Sequence, residues 1–141
     1  MTDTTDRERF CEDTGKLLLR LTLGGLMLFH GIAKLGGDLS FIEGLLTDRG
    51  LPGWLAYGVY VGEVVTPLLM ILGLFTRLSA IVFAFNMLMA IVLAHSGEIF
   101  SLGEHGEWAI EVPMLYLLGG LCVALLGPGR FAVRAGKGIW A

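Results

Sequence analysis

Four long apolar runs constrain the fold of this chain more than any other feature of its sequence. Each covers about 20 residues, which is the length that an α-helix needs to cross about 30 Å of hydrocarbon. Hydrophobic residues make up 55% of the 141 residues and charged residues only 16%, and the charges concentrate in the termini and loops. The sequence therefore predicts an all-α membrane protein, a four-transmembrane-helix bundle with spans at about 16–35, 54–75, 78–95 and 108–126.

The positively charged residues outside these spans predict how the bundle is oriented. Arg49 stands alone on one side and Lys34 lies at a helix end, whereas the opposite side carries Arg7, Arg9, Lys16, Arg77, Arg130, Arg134 and Lys137. Because cytoplasmic loops are enriched in Lys and Arg, both termini are predicted to be cytoplasmic. The chain then divides into a tail at 1–15, a transmembrane domain at 16–130 and a second tail at 131–141. No basic patch with interleaved aromatic residues is present, so nucleic-acid binding is excluded.

The connections between the spans carry local structure of their own. Between the first and second spans, apolar residues recur at helical spacing, namely Phe41, Ile42, Leu45 and Leu46. This spacing predicts a short interfacial helix, which the turn at 50–53 would end. The second and third spans are separated by almost nothing around Thr76 and Arg77, which predicts a tight antiparallel hairpin.

Polar side chains on the first span share one face of its helix. Arg20, His30 and Lys34 fall within about 80° of arc at 100° per residue, together with the small or flexible residues Gly24, Met27 and Gly31. A face of this kind is typical of a helix that packs inside a bundle, since ionisable groups avoid lipid. For Lys34 the plainer interpretation is that its amine only reaches the outer headgroups.

Glu63 is the acidic residue deepest in a predicted span. It lies about nine residues inside Trp54, or roughly 13 Å at 1.5 Å per residue, so its carboxylate must be paired or protonated. Arg20 and His30 are the candidate partners, and an Arg20–Glu63 ion pair that merely fixes helix register is an equally acceptable interpretation. Tyr60 shares the face of Glu63. Pro67 removes a backbone donor and leaves a carbonyl that the Thr66 hydroxyl or water could satisfy.

The outer half of the bundle is predicted to be polar. Glu104, Glu107 and Glu111 recur at spacings of three and four, which predicts an acidic stripe on the fourth helix that enters the membrane from outside. On the third helix Asn86 and His95 are nine residues apart and are predicted to lie on opposite sides, so they should not share a site. No paired His or His–Glu spacing on one helix supports a metal site.

Three stretches of the sequence resemble the DoxX family of small four-helix membrane proteins. They are RLTLGGLMLFHGIAKL at 20–35, GLPGWLAYGVYVGEVVTPLLMILGLFTRLSA at 50–80 and LLGPGRFAV at 125–133. The resemblance implies a protein of the bacterial or archaeal cytoplasmic (inner) membrane that is linked to redox chemistry, as a quinone-linked subunit or as a partner of sulfur-transfer or superoxide-detoxifying enzymes. It supplies no catalytic motif, and the chain has no cysteine cluster or Gly-rich dinucleotide loop for an intrinsic cofactor.

Together these features favour a redox-associated membrane subunit that binds a quinone-like or other small oxidisable molecule. The predicted ligand-binding or proton-relay residues are Arg20, His30, Lys34, Glu63 and Glu111, and the secondary candidates are Tyr60, Asn86, His95 and Glu107. The alternatives are a non-catalytic anchor or assembly subunit that recruits a partner protein, and a small-solute or proton-coupled carrier. Besides the lipid bilayer, the expected partners are a redox or sulfur-transfer protein and a second copy of the chain.

Overall fold

The computed structural model describes residues 2–133 and residue 138, and within that part of the chain it is helical with no strand. Five helices of eight or more residues follow one another in this part: α1 (Thr2–Leu35), α2 (Ser40–Thr47), α3 (Gly53–Leu72), α4 (Thr76–Ala94) and α5 (Glu111–Leu126). A 3-10 turn at Ser96–Glu98 follows α4. Three of them, α1, α3 and α4, are long and apolar enough to cross a membrane. The fourth predicted span is shorter than expected, because α5 has only 16 residues. Arg134 and Lys137 lie outside the described residues.

Helix α1 begins well before the first predicted span. The segment predicted as a cytoplasmic tail is helical from Thr2 onward and continues into the span without a break. Side chains one turn apart support this extension, since Lys16 pairs with Glu12 at 2.6 Å and the Thr14 hydroxyl donates to the Phe10 carbonyl. The Phe10 ring also lies under the Arg130 guanidinium, 5.1 Å from its centroid. At 34 residues the helix is about 51 Å long and exceeds the thickness of a hydrocarbon core.

A short helix is present as α2, where the sequence predicted one between the first and second spans. Just before its start, the Asp38 carboxylate accepts hydrogen bonds from the Ser40 hydroxyl and backbone N–H at 2.6 and 2.9 Å, which satisfies one of the free N–H groups of the first turn. These bonds hold the pKa of Asp38 below its usual range, because they stabilise the charged carboxylate. Leu46 is buried with Ala56 at the start of α3. Gly50, with φ of +73°, then turns the chain where the sequence predicted a turn.

Helix α3 changes its hydrogen-bonding pattern midway. It opens as a 3-10 turn at Gly53–Tyr57 and widens into a π-helical turn at Val61–Val65, before Thr66–Leu72 completes it as an α-helix. Pro67 has no N–H to give to the turn before it, and the Thr66 hydroxyl instead donates to the Gly62 carbonyl at 2.9 Å. The sequence predicted either the Thr66 hydroxyl or water for a carbonyl left without a donor by Pro67, and the structure shows the hydroxyl. The wide turn carries Glu63, so the backbone is irregular where the buried acid lies.

The predicted hairpin between α3 and α4 is confirmed, and its turn is left-handed at two residues, Gly73 (φ 74°) and Phe75 (φ 45°). Two arginines then cap helix ends at opposite edges of the protein. Arg49 donates to the carbonyls of Val92 and Leu93 at the end of α4, at 2.6 and 3.2 Å. Arg77 donates to the Ala124 carbonyl near the end of α5 at 3.2 Å. A cation at a helix C-terminus meets both its free carbonyls and its negative dipole end.

The acidic stripe predicted on the fourth helix does not form. Helix α5 begins only at Glu111, and Glu104 and Glu107 lie in the loop before it. Gly106 adopts φ of +83° there, and the Glu107 carboxylate accepts the His105 backbone N–H at 3.0 Å. Because this loop is not helical, the spacing of three and four residues does not place the three carboxylates on one face. The prediction of a polar helical stripe was therefore wrong.

Candidate functional site

Glu63 lies inside the bundle, where α1 packs against the π-helical turn of α3. Its side chain is 5% exposed. Gly31 of α1 sits directly against the Glu63 backbone carbonyl, and a Cβ at that position would overlap it. The Tyr60 hydroxyl, one turn earlier on α3, donates to the Lys34 carbonyl at 3.3 Å. The small residues predicted on the face of α1 thus allow the close approach that brings Lys34 and Glu63 together.

Lys34 is the charged partner of Glu63. Its Nζ lies 2.6 Å from Glu63 Oε1, and 37% of the Lys34 side chain is exposed. The prediction that Arg20 or His30 pairs with Glu63 was wrong, and Lys34 does more than reach the headgroups. The second oxygen of the carboxylate, Oε2, is buried and has no hydrogen-bond partner among the described residues. An unsatisfied buried acceptor of this kind costs about 1–3 kcal/mol.

Arg20 serves a structural purpose at the other end of the bundle. It is fully buried, and its guanidinium donates to the carbonyls of Met70 at 2.9 Å, Ile71 at 3.4 Å and Phe131 at 2.7 Å. These contacts cap the end of α3 and tie the segment after α5 to it. The positive charge is compensated by the carbonyl dipoles of a helix C-terminus rather than by a carboxylate. Two cavities lie beside Glu63, and Arg20 lines neither of them.

Two small cavities flank the Lys34–Glu63 pair. The first, of about 200 Å³, lies between α1, α4 and α5 and is lined by Met27, His30, Lys34, Glu63, Met87, His95, Val112, Pro113 and Tyr116. The second, of about 260 Å³, lies towards α2 and α4 and includes Asn86 and Ala90 in its wall. Lys34, Glu63 and His95 line both. The ion pair and one imidazole therefore stand between two spaces that are otherwise mostly apolar.

Asn86 and His95 line the same cavity, although the sequence predicted that they would not share a site. The prediction assumed that α4 continues through His95. Instead the helix ends at Ala94, and His95 adopts φ of −121° and ψ of 12°, so helical periodicity no longer sets its direction. Its Nδ1 lies 2.7 Å from Glu98 Oε2, which fixes the ring. Glu98 lines neither cavity but holds the His95 ring, and no pattern in the sequence singled it out.

Of the remaining residues predicted for the site, His30 lines a cavity beside Glu63, whereas Glu107 and Glu111 lie on the protein surface. His30 lines the first cavity, and its ring packs edge-on against Tyr116 with centroids 6.1 Å apart. Tyr116 is another residue that the sequence analysis missed, since one aromatic residue in an apolar helix gives no distinguishing signal. Glu111 and Glu107 are exposed and line neither cavity. Within the described residues, no three His, Cys, Asp or Glu side chains are grouped closely enough to hold a metal ion.

The fold and site define a helical membrane protein in which a buried glutamate pairs with a half-exposed lysine between two small cavities. Residues 15–96 match the model of the DoxX family, so the chain belongs to that family, as its sequence resemblance predicted. A Bacillus subtilis (strain 168) protein named "Putative oxidoreductase CatD" is 32% identical over 80 residues, which are 57% of this chain and 59% of the relative. No solved structure matches. The match to the family model includes Lys34, Glu63 and His95, whereas α5 lies beyond its end at residue 96.

Proposed function

We propose that this chain is a four-span inner-membrane subunit of an oxidoreductase, with both termini in the cytoplasm, and that it binds a quinone-like ring beside Glu63. The name of the Bacillus subtilis relative supports a link to redox chemistry. Helix α5 has 16 residues and is about 24 Å long, which a bilayer accommodates by thinning locally, so a fourth span is physically reasonable. The distribution of Lys and Arg supports the orientation.

The free carboxylate oxygen of Glu63 is the observation on which this proposal rests. A buried acceptor without a donor is unfavourable, and a ligand that brings an O–H or N–H group removes that cost. The Lys34 ammonium bonds to the other carboxylate oxygen and has further N–H groups that can donate to an acceptor such as a carbonyl. A molecule whose oxygens alternate between carbonyl and hydroxyl forms suits a site that offers both a donor and an acceptor.

The size of the cavities limits the ligand. Pockets for drug-sized molecules commonly measure about 300–1,000 Å³, and the two cavities measure about 200 and 260 Å³. Each fits one substituted ring, whereas a flavin or a nicotinamide dinucleotide would exceed it. This restriction agrees with the absence of a dinucleotide-binding motif in the sequence and favours a single-ring oxidant over a nucleotide cofactor.

The residues present can move the protons that such chemistry requires. A quinone becomes a hydroquinone by taking up two electrons and two protons, and the electrons would come from a reduced redox partner protein. His95 lines both cavities and bonds to Glu98, which is exposed. Because His95 and Glu63 line the same cavities, the proton route that we propose runs from Glu98 to His95 and across a cavity to the ligand beside Glu63.

The second candidate function, a membrane anchor that recruits a partner protein, is favoured by a different feature. The loop between α4 and α5 carries two large apolar side chains that are strongly exposed, Phe100 at 101% and Leu102 at 73%. Native mass spectrometry of the detergent-purified protein separates the two functions. A retained quinone-sized molecule supports the first, and a stoichiometric partner chain without any retained molecule supports the anchor.

A binding experiment tests the quinone site directly. The full chain, reconstituted in nanodiscs, is titrated with a tail-less dimethoxy-methyl-benzoquinone, and tryptophan fluorescence reports binding. Glu63→Gln keeps the side-chain shape but removes the charged acceptor, and hydrogen bonds to charged groups contribute about 1.5–3 kcal/mol. We expect the affinity to fall by at least about tenfold. Glu104→Gln is the matched control, since Glu104 is an exposed carboxylate in the α4–α5 loop.

Two results would show that the proposed function is wrong. One is that nanodiscs containing the unsubstituted chain give no larger quinone-dependent signal than nanodiscs without it. The other is that Glu63→Gln and Glu104→Gln bind equally well. A thermal unfolding curve for each variant establishes that the protein tested is folded, so a loss of binding reports the site itself.

A further inference from the structure

An apolar groove lies on the outside of the bundle, next to the second cavity. It measures about 580 Å³, and apart from Asn86 its walls are apolar or glycine: Ile42, Leu46, Leu51, Leu55, Gly58, Val59, Val61, Gly62, Val82, Phe85, Met89 and Leu93. Several of these residues, including Val61 at 47% and Phe85 at 59%, are well exposed. The groove is therefore open along the side of the protein that α2, α3 and α4 form.

The groove and the second cavity share part of their walls. Ile42, Val59, Asn86, Met89 and Leu93 line both spaces, so these side chains form the boundary between the groove and the cavity that contains Lys34 and Glu63. Met89 is unbranched at this boundary and can change rotamer at little cost. An open apolar groove thus adjoins a cavity whose inner end is charged.

We propose that the ligand is an amphiphile with a long apolar chain, which enters sideways from the lipid through this groove. Its ring would lie beside Lys34 and Glu63, and its chain would lie in the groove between α2, α3 and α4. This inference rests on the proposed function and deepens it, because it names the class of quinone as a tailed, membrane-dissolved one. The charges of Lys34 and Glu63 at the cavity suit the polar ring of such a molecule, and the apolar walls of the groove suit its chain.

The groove provides access rather than affinity. Lipid chains are as apolar as the side chains that line the groove, so moving an alkyl tail from the bilayer into it gains little free energy. The groove adjoins the second cavity and has room for an alkyl chain, so a ring in that cavity that carries a chain depends on the groove and a tail-less ring does not. The structure therefore predicts that blocking the groove excludes tailed molecules and leaves tail-less ones unaffected.

Gly58 offers a position from which a larger side chain can fill the groove. It lines the groove, and a Cβ added at this position would meet no atom within 4 Å. Gly58→Trp therefore places an indole in the groove. Gly25→Trp is the matched control, since a Cβ on Gly25 in α1 also meets nothing within 4 Å and Gly25 lines none of the three cavities.

The test measures the binding of two quinones with the same ring, one tail-less and one carrying a decyl chain, to the full chain in nanodiscs. For Gly58→Trp we expect the affinity for the decyl quinone to fall by about tenfold or more, while the affinity for the tail-less ring stays within about twofold. Gly25→Trp should bind both quinones as the unsubstituted protein does. Affinities are compared as mole fractions in the lipid, so that partitioning of the tail does not enter the comparison.

Each other outcome has a definite meaning. If Gly58→Trp leaves decyl-quinone binding unchanged, or weakens both quinones equally, the groove does not hold the tail and this inference is wrong. In either case, tail-less binding that depends on Glu63 would still support the proposed function. If neither quinone binds the unsubstituted protein, the proposed function fails and this inference fails with it.

Discussion

Replacing Arg20 should destabilise the fold without affecting the ligand site. The Arg20 guanidinium makes two short hydrogen bonds to backbone carbonyls, at 2.9 Å to Met70 and 2.7 Å to Phe131. Bonds from a charged donor contribute about 1.5–3 kcal/mol each, and part of that is offset because Arg20→Met no longer buries a charge. A net loss of about 2–4 kcal/mol follows, which lowers the thermal midpoint by roughly 5–15 °C. Thermal unfolding in detergent measures the midpoint, and quinone titration should show no change in affinity.

Arg77→Met is the control for this prediction. Arg77 makes a single longer bond, 3.2 Å to Ala124, and is only partly buried, so its loss should cost about 1 kcal/mol. A double-mutant cycle of Arg20→Met with Glu63→Leu should be additive to within about 0.5 kcal/mol, because the two side chains share no partner. Strong coupling in that cycle, or an unchanged midpoint for Arg20→Met, would refute the capping assignment.

Two further predictions concern the other charged contacts. Lys34→Met leaves the Glu63 carboxylate buried and without its charged partner. This should lower the free energy of unfolding by about 2–4 kcal/mol, after discounting for the 37% exposure of Lys34. The double variant Lys34→Met/Glu63→Leu should recover most of that loss, as measured by thermal unfolding at pH 7. Asp38, whose pKa is lowered by its bonds to Ser40, should stabilise the start of α2 fully above about pH 4 and progressively less as the pH falls through its lowered pKa. Hydrogen exchange at the Ser40 amide measures this stabilisation, and Asp38→Asn should lower the protection factor of that amide near neutral pH. Equal protection factors in the variant and the unsubstituted protein at neutral pH would contradict the prediction.

Features that depend on neighbouring residues were predictable from the sequence. The apolar spacing of Phe41 to Leu46 indicated α2, and Gly50 lies where the chain must turn with positive φ. The hairpin between α3 and α4 was also predicted, because a connection this short leaves only an antiparallel arrangement. Each of these inferences needed only local conformational preferences, and none required knowledge of how distant helices pack.

The start of α5 was misjudged because hydropathy does not distinguish an apolar loop from an apolar helix. Trp108 and Ile110 count as membrane residues by composition, but both precede the helix. The Trp108 indole N–H donates to the Ile99 carbonyl at 2.6 Å, and this bond holds the residue in the loop. A tertiary hydrogen bond across nine residues leaves no periodic signal in the sequence.

The partner of Glu63 could not be predicted because it depends on the register between α1 and α3. Helical periodicity places Arg20 and Lys34 on one face, but it says nothing about their depth relative to Glu63. Arg20 lies eleven residues, or about 16 Å, along α1 from the Gly31 that contacts Glu63, which is too far for its side chain, whereas Lys34 is one turn from that glycine. Sliding α1 to bring Arg20 beside Glu63 would remove Gly31 from the Glu63 carbonyl and force a larger side chain into that contact. The glycine therefore selects which cation meets the buried acid, and the site exists because a residue without a side chain fixes the register.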